Sequence, residues 1–117
     1  MVHLTDIDFE SACSAVSNLL SSSERPDAFF CVSDVFASAV IKSASGLNLS
    51  VPQDVAVVGF DNVYLTTMTV PSITTVSQPT YQLGFQSANI LIDQIEGKPV
   101  LNYRVVLSTD LIVRGST

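Results

Sequence analysis

An α/β fold built on a parallel sheet flanked by helices is predicted by three features of the sequence. Two short apolar runs, residues 28–32 and 55–60, are bounded by turn residues and have the length of buried strands. Residues 35–45 between them carry a helical pattern, and strand, helix, strand at this spacing makes a βαβ unit with a right-handed crossover. Hydrophobic residues make up 47% of the 117 and charged ones 14%. The charged share of a globular domain is usually about 25%, so this is a chain that packs a core, not a disordered one. Its length suits one core, which at this size buries roughly two-thirds of the unfolded surface.

Each element has a local cause. Residues 7–20 place Phe9, Ala12, Cys13, Val16, Leu19 and Leu20 on one helix face, with Asp6 and Asp8 at the positive end of the helix dipole. The turn residues 21–26 end it. Residues 28–32 read as a strand buried on both faces. The helix 35–45 has Ser33 or Asp34 as its cap, and Gly46 just past its end. Residues 51–54 form a turn before the second strand, 55–60. Residues 63–72 lack clean periodicity and read as a loop with a single helical turn. Residues 73–76 are a short strand. Pro79 suits the first turn of a helix that carries Tyr81, Gly84, Ala88, Leu91, Ile92 and Ile95 on one face. Gly97 and Pro99 stop that helix. Residues 103–107 and 111–113 read as two closing strands.

Charge and composition exclude several functions. The formal net charge is −6. The cations Arg25, Lys42, Lys98, Arg104 and Arg114 are scattered, so the chain has no basic stripe to neutralise phosphates and is not expected to hold DNA or RNA by itself. An acidic chain is also repelled by anionic membrane surfaces. No apolar run reaches the ~20 residues that span a bilayer, and residues 1–10 show no secretory signal, so a cytoplasmic location is expected. Cys13 and Cys31 lie in apolar-patterned segments and fit reduced, buried thiols.

Few residues offer chemistry. Asp61 follows the second strand directly, and in open α/β sheets ligands bind outside the carboxyl ends of the strands. A carboxylate there can accept two hydrogen bonds from sugar hydroxyls or an amine. Its other reading is a turn or capping Asp. Ser33 and Asp34 occupy the equivalent place after the first strand, where a helix cap is the simpler role for Asp34. The single histidine, His3, is placed near the start and is expected to be exposed and idle. With one histidine, no catalytic triad or zinc site can be assembled from ordinary parts, and no metal or cofactor is expected. No phosphate-cradling glycine loop and no general acid–base pair of carboxylates is visible, so enzyme activity is not expected.

Five segments in order carry a family resemblance: DIDFES (6–11), RPDAFFCVSD (25–34), LSVPQDVAVVGFDN (49–62), PSITTVSQP (71–79) and RGST (114–117). Together they resemble the effector-binding part of lac-repressor (LacI/GalR) family transcription regulators, over nearly the whole chain. The resemblance implies a partial periplasmic-binding-protein-like (type I) fold of two α/β subdomains around a ligand cleft. It assigns residues 1–77 and 109–117 to the C-terminal subdomain and 78–108 to a crossover segment of the N-terminal one. The DNA-binding head would lie outside this chain.

The same resemblance matches Asp61 to the family's cleft aspartate, which hydrogen-bonds the effector. Ser33 matches a position where many members have a ligand-contacting Asn, and the shorter Ser side chain reduces its reach. Asp34 matches a structural Asp. Ser38, Leu65, Met68 and Thr69 match the dimer interface. Gln86 and Asn89 stand where members that bind a phosphorylated sugar-transport protein carry Arg, so that partner is not expected. The implied function is a ligand-sensing fragment of a DNA-binding regulator that responds to a sugar or another small polar effector, acting as a homodimer. The alternative is a fragment of a periplasmic sugar-binding transport protein, which shares the fold. The helix beginning at Pro79 has an apolar face whose family partner lies elsewhere. Dimerisation, swapping or membership of a larger ordered protein is therefore expected.

Overall fold

The computed structural model describes residues 8–99 and 104–117. His3, Asp6, Ile7 and Tyr103 lie outside the described residues. The elements run α1 (Phe9–Leu20), β1 (Ala28–Phe30), α2 (Asp34–Gly46), β2 (Ala56–Asp61), α3 (Leu65–Met68), β3 (Thr74–Ser77), α4 (Thr80–Ile95) and β4 (Asp110–Ile112). The four strands form one sheet in the order β1-β2-β3-β4. β1 pairs with β2, and β2 with β3, both in parallel. The chain divides into two compact units, residues 1–77 with 111–117, and residues 78–110.

The first unit holds the core. α2 packs against both α1 and β2. Val40, Ala37 and Ala44 on α2 meet Val16 and Leu20 of α1, Val55 and Val57 around β2, and Ile73 ahead of β3. α1 starts at Asp8, whose side chain accepts hydrogen bonds from the Ser11 amide (2.9 Å) and hydroxyl (2.7 Å). That satisfies one amide the helix itself leaves without a partner.

Three local expectations need correction. α2 does not stop before Gly46. The residue that turns left-handed is Asn48, with φ +56°. The Leu49 amide reaches back to the Ala44 carbonyl (2.9 Å) and the Asn48 amide to that of Ser45 (3.1 Å), closing a Schellman motif. Asn tolerates this conformation better than other non-glycine residues. The first strand is shorter than expected and is not buried on both faces: Phe30 is 67% exposed. β1 stands at the end of the strand order and pairs only with β2 among the described residues, which place no strand on its outer side. Finally, residues 104–107 form no strand, because no described strand pairs with them; Val105 and Val106 are exposed.

The second unit is built on α4. Gly97 takes φ +69° at its end, as the sequence predicts, and the Lys98 amide bonds the Asp93 carbonyl at 2.9 Å. Pro79 stands one residue ahead of the helix, at its cap. No residue of α4 is buried; Tyr81, Phe85, Leu91, Ile92 and Ile95 are all exposed. The Tyr81 and Phe85 rings stack one turn apart, 6.3 Å between centroids.

Cys31 is buried, and burial is the main reason its thiol is pushed up from 9.0 to about 12, with the negative Asp34 adding to the shift. A raised acid pKa in the native state means that the unfolded thiol ionises first. Native stability is therefore expected to fall as pH rises from about 9 towards 12. In a Cys13→Ala variant, Ellman's reagent at pH 8 should modify Cys31 no faster than the protein unfolds. Rapid labelling under native conditions would contradict this.

Candidate functional site at the carboxyl end of the sheet

Parallel strands deliver their carboxyl ends to one edge of the sheet. In the register of β1 and β2, Phe30 faces Val58. Ser33 lies three residues beyond Phe30, and Asp61 three beyond Val58, so both leave the sheet at the same level. On the other side of β2, Asp61 is the register partner of Ser77, the last residue of β3. The structure thus gathers Ser33, Asp61 and Ser77 along one edge.

The backbone turns sharply there. Asp61 has φ +104° and Asn62 φ +58°, two consecutive non-glycine residues in left-handed territory. Such conformations persist only where the surroundings enforce them, and they concentrate at functional sites. Asp61 is half-buried.

Two sets of bonds enforce the turn. On one side stands Asp34, 1% exposed at the first position of α2. Its carboxylate accepts the Thr75 hydroxyl at 2.5 Å and the Val63 amide at 2.8 Å. Thr75 Oγ1 in turn accepts the Asn62 amide at 3.3 Å. On the other side stands Arg114. Its Nη2 donates to Asn62 Oδ1 (2.8 Å), and its Nη1 to Thr66 Oγ1 (3.0 Å) and the Ile73 carbonyl (2.8 Å). The Asn62 amide group donates to Ser77 Oγ at 3.1 Å.

Asp34 is therefore not the cap of its own helix. The cap position belongs to Ser33, and no side chain makes the capping bond there. The Asp34 carboxylate is spent across the sheet, on the residues that follow β2 and on β3. Gly59 explains how it gets there: a side chain at that position would overlap Asp34 Oδ1.

Residues that sequence reasoning did not single out complete the arrangement: Asn62, Thr75, Ser77 and Arg114. The Asp-Asn pair after an apolar strand does carry a signal, since both residue types are enriched in the left-handed region. Arg114 carries none, because its partners lie more than forty positions away.

The residues matched to a dimer surface lie on α2 and around α3. Met68 is 65% exposed, while Leu65, Ser38 and Thr69 are half-buried. The Ser38 hydroxyl bonds the Val35 carbonyl of its own helix at 2.7 Å. Tyr64 and Val70, in the same stretch as Met68, are strongly exposed as well. Among the described residues, no three His, Cys, Asp or Glu side chains are placed to share a metal ion, and no helix is long and apolar enough to cross a membrane.

Comparisons with known proteins agree with this architecture. The family model described as a periplasmic binding protein-like domain matches residues 3–117. The chain is 38% identical over 112 residues to the HTH-type transcriptional repressor CytR of Escherichia coli (strain K12), covering 96% of this chain and 33% of the repressor. It is 41% identical over 112 residues to a ribose operon repressor of Halalkalibacterium halodurans, covering 96% of this chain and 34% of that protein. Among solved structures, the complex of the transcriptional regulator CelR with cellobiose superposes with a TM-score of 0.87 at 36% identity, over 96% of this chain and 34% of that one. A LacI-family regulator from Arthrobacter, in complex with lactose, gives 0.85 at 26% identity, over 96% of this chain and 42% of that one. The chain spans about a third of the length of the curated relatives it matches. It belongs to the periplasmic binding protein-like domain family, in the form carried by LacI-family transcriptional regulators.

Proposed function

We propose that this chain is the effector-sensing portion of a DNA-binding transcriptional repressor. Residues 1–77 and 109–117 form part of one lobe of its ligand cleft, and 78–108 cross into the other lobe. The effector is a sugar or another small polar metabolite, held at the carboxyl end of the sheet. Asp61 accepts hydrogen bonds from neighbouring hydroxyls, and Ser33 offers a second, shorter contact. Occupancy of the cleft shifts the balance between two lobe arrangements and so the affinity of a paired DNA-binding head for its operator. The observation that supports this most directly is the left-handed turn at Asp61–Asn62, at the sheet edge where such folds bind ligands.

The test is ligand binding by the whole protein, followed by calorimetry against D-ribose, cellobiose and lactose. A probe that binds only the folded state raises its melting temperature. Asp61→Asn should weaken the bound probe about 10- to 100-fold, the size expected for losing hydrogen bonds to a charged group. Unchanged affinity would remove Asp61 from the site.

The surface formed by Ser38, Leu65, Met68 and Thr69 is proposed to pair two copies. Met68→Asp should raise the dimer dissociation constant at least tenfold in sedimentation equilibrium, by burying a charge where an apolar side chain belonged. A variant that dimerises like the parent would rule out this surface.

A further inference from the structure

We propose that Arg114 is a positioning residue for effector binding: its guanidinium holds the Asp61–Asn62 turn in the left-handed shape that presents the Asp61 carboxylate. This rests on the reading of Asp61 as an effector contact. Arg114 follows β4, far from the turn in sequence, yet it bridges three acceptors around it: Asn62 Oδ1, Thr66 Oγ1 and the Ile73 carbonyl. Asn62 is gripped at both ends of its amide, because Oδ1 accepts from Arg114 while the nitrogen donates to Ser77 Oγ. That pairing also fixes which end of the amide is oxygen. The main-chain bonds to Thr75 and Asp34 hold the amides of residues 62 and 63. They leave the Asn62 side chain to Arg114 and Ser77.

The planar, forked donor matters here. Arginine can satisfy several acceptors at fixed angles, whereas a lysine ammonium is a point donor on a flexible stem. Arg114→Lys keeps the charge and most of the apolar stem but loses the bridge. The turn at φ +104° and +58° is then free to relax towards ordinary backbone, which swings the Asp61 carboxylate away.

The test uses the whole protein and two readouts. The first needs no ligand. In Arg114→Lys, amide hydrogen exchange at Asn62 and Val63 should accelerate at least tenfold, while Val57 and Val40 in the core exchange as before. The second is calorimetric affinity for whichever of D-ribose, cellobiose or lactose the parent binds. Arg114→Lys should weaken it at least tenfold in the parent background, but less than twofold in an Asn62→Gly background, where glycine adopts the left-handed conformation unaided and Arg114 keeps Thr66 and Ile73 but no longer grips the turn through residue 62. Equal losses in the two backgrounds, or unchanged exchange at Asn62 and Val63, would overturn the proposal. Full-strength binding by Asp61→Asn would instead overturn the underlying reading of Asp61, and the exchange data would show whether Arg114 still holds the turn.

Discussion

Gly59→Ala should destabilise the protein by about 3 kcal/mol, the upper end of what overpacking a core usually costs. The glycine sits in the middle of β2, buried, under the first turn of α2. An added Cβ would overlap Asp34 Oδ1 and press on the Asp34 Cα and the Ala37 Cβ, both at 3.3 Å. Two of those three neighbours are fixed by the helix backbone, so the strain cannot be relieved by one side-chain rotation. The Asp34 carboxylate would have to move, and its bonds to Thr75 and Val63 would go with it. Gly84→Ala is the matched control: nothing lies within 4 Å of that position, and in mid-helix the change should stabilise by ~0.5–1 kcal/mol. Urea midpoints at constant m-value give both numbers. A Gly59→Ala variant within about 0.5 kcal/mol of the parent would show that the close approach is not a packing constraint.

Asp34→Ala should cost a similar amount, about 3 kcal/mol, for a different reason. It leaves the fully buried Thr75 hydroxyl without its acceptor, which costs roughly 1–3 kcal/mol, and removes the bond to the Val63 amide, which lies nearer the surface and costs less. Asp34→Asn should lose less, since one oxygen can still accept while the new NH₂ faces a donor. The double variant Gly59→Ala, Asp34→Ala should lose clearly less than the sum of the two, because removing the carboxylate removes the atom the new methyl would strike. Strict additivity would mean that the two positions do not share one cause.

These two positions also mark how far sequence reasoning reaches. The βαβ unit, the single turn at α3 and the glycine stop of α4 all follow from local patterns, and all are present; the first helix, expected over 7–20, runs Phe9–Leu20 with Asp8 as its cap. α2 runs one residue past the expected end, and its left-handed cap lies two residues beyond the expected Gly46, at Asn48. β1 is exposed against expectation because an apolar run reports that a strand wants cover, not that the described residues supply it. Residues 104–107 look like a strand for the same reason. At the site, the placement rule for parallel sheets picks out Asp61 from one dimension. The bracing residues do not show, since Asp34 reads as an ordinary cap and Arg114 as a tail residue. Their partners are set by tertiary geometry, which spacing along the chain does not encode.

The path of the last residues has a consequence for how the protein is made. Ser116 is fully buried in the first unit. Its carbonyl accepts the Val57 amide (2.9 Å), and its hydroxyl bonds the Val57 carbonyl (2.6 Å) and the Thr74 amide (2.8 Å). It thus sits where β2 and β3 diverge, occupying the ladder positions of a missing strand residue. The ribosome delivers it only after the whole 78–110 excursion. A nascent chain holding β2 and β3 but not yet Ser116 carries an open seam between two strands, and residues so distant in sequence close slowly. Translation must therefore pass through a stage in which the sheet exists without its fastener. In that interval the seam is exposed to other strands and to chaperones.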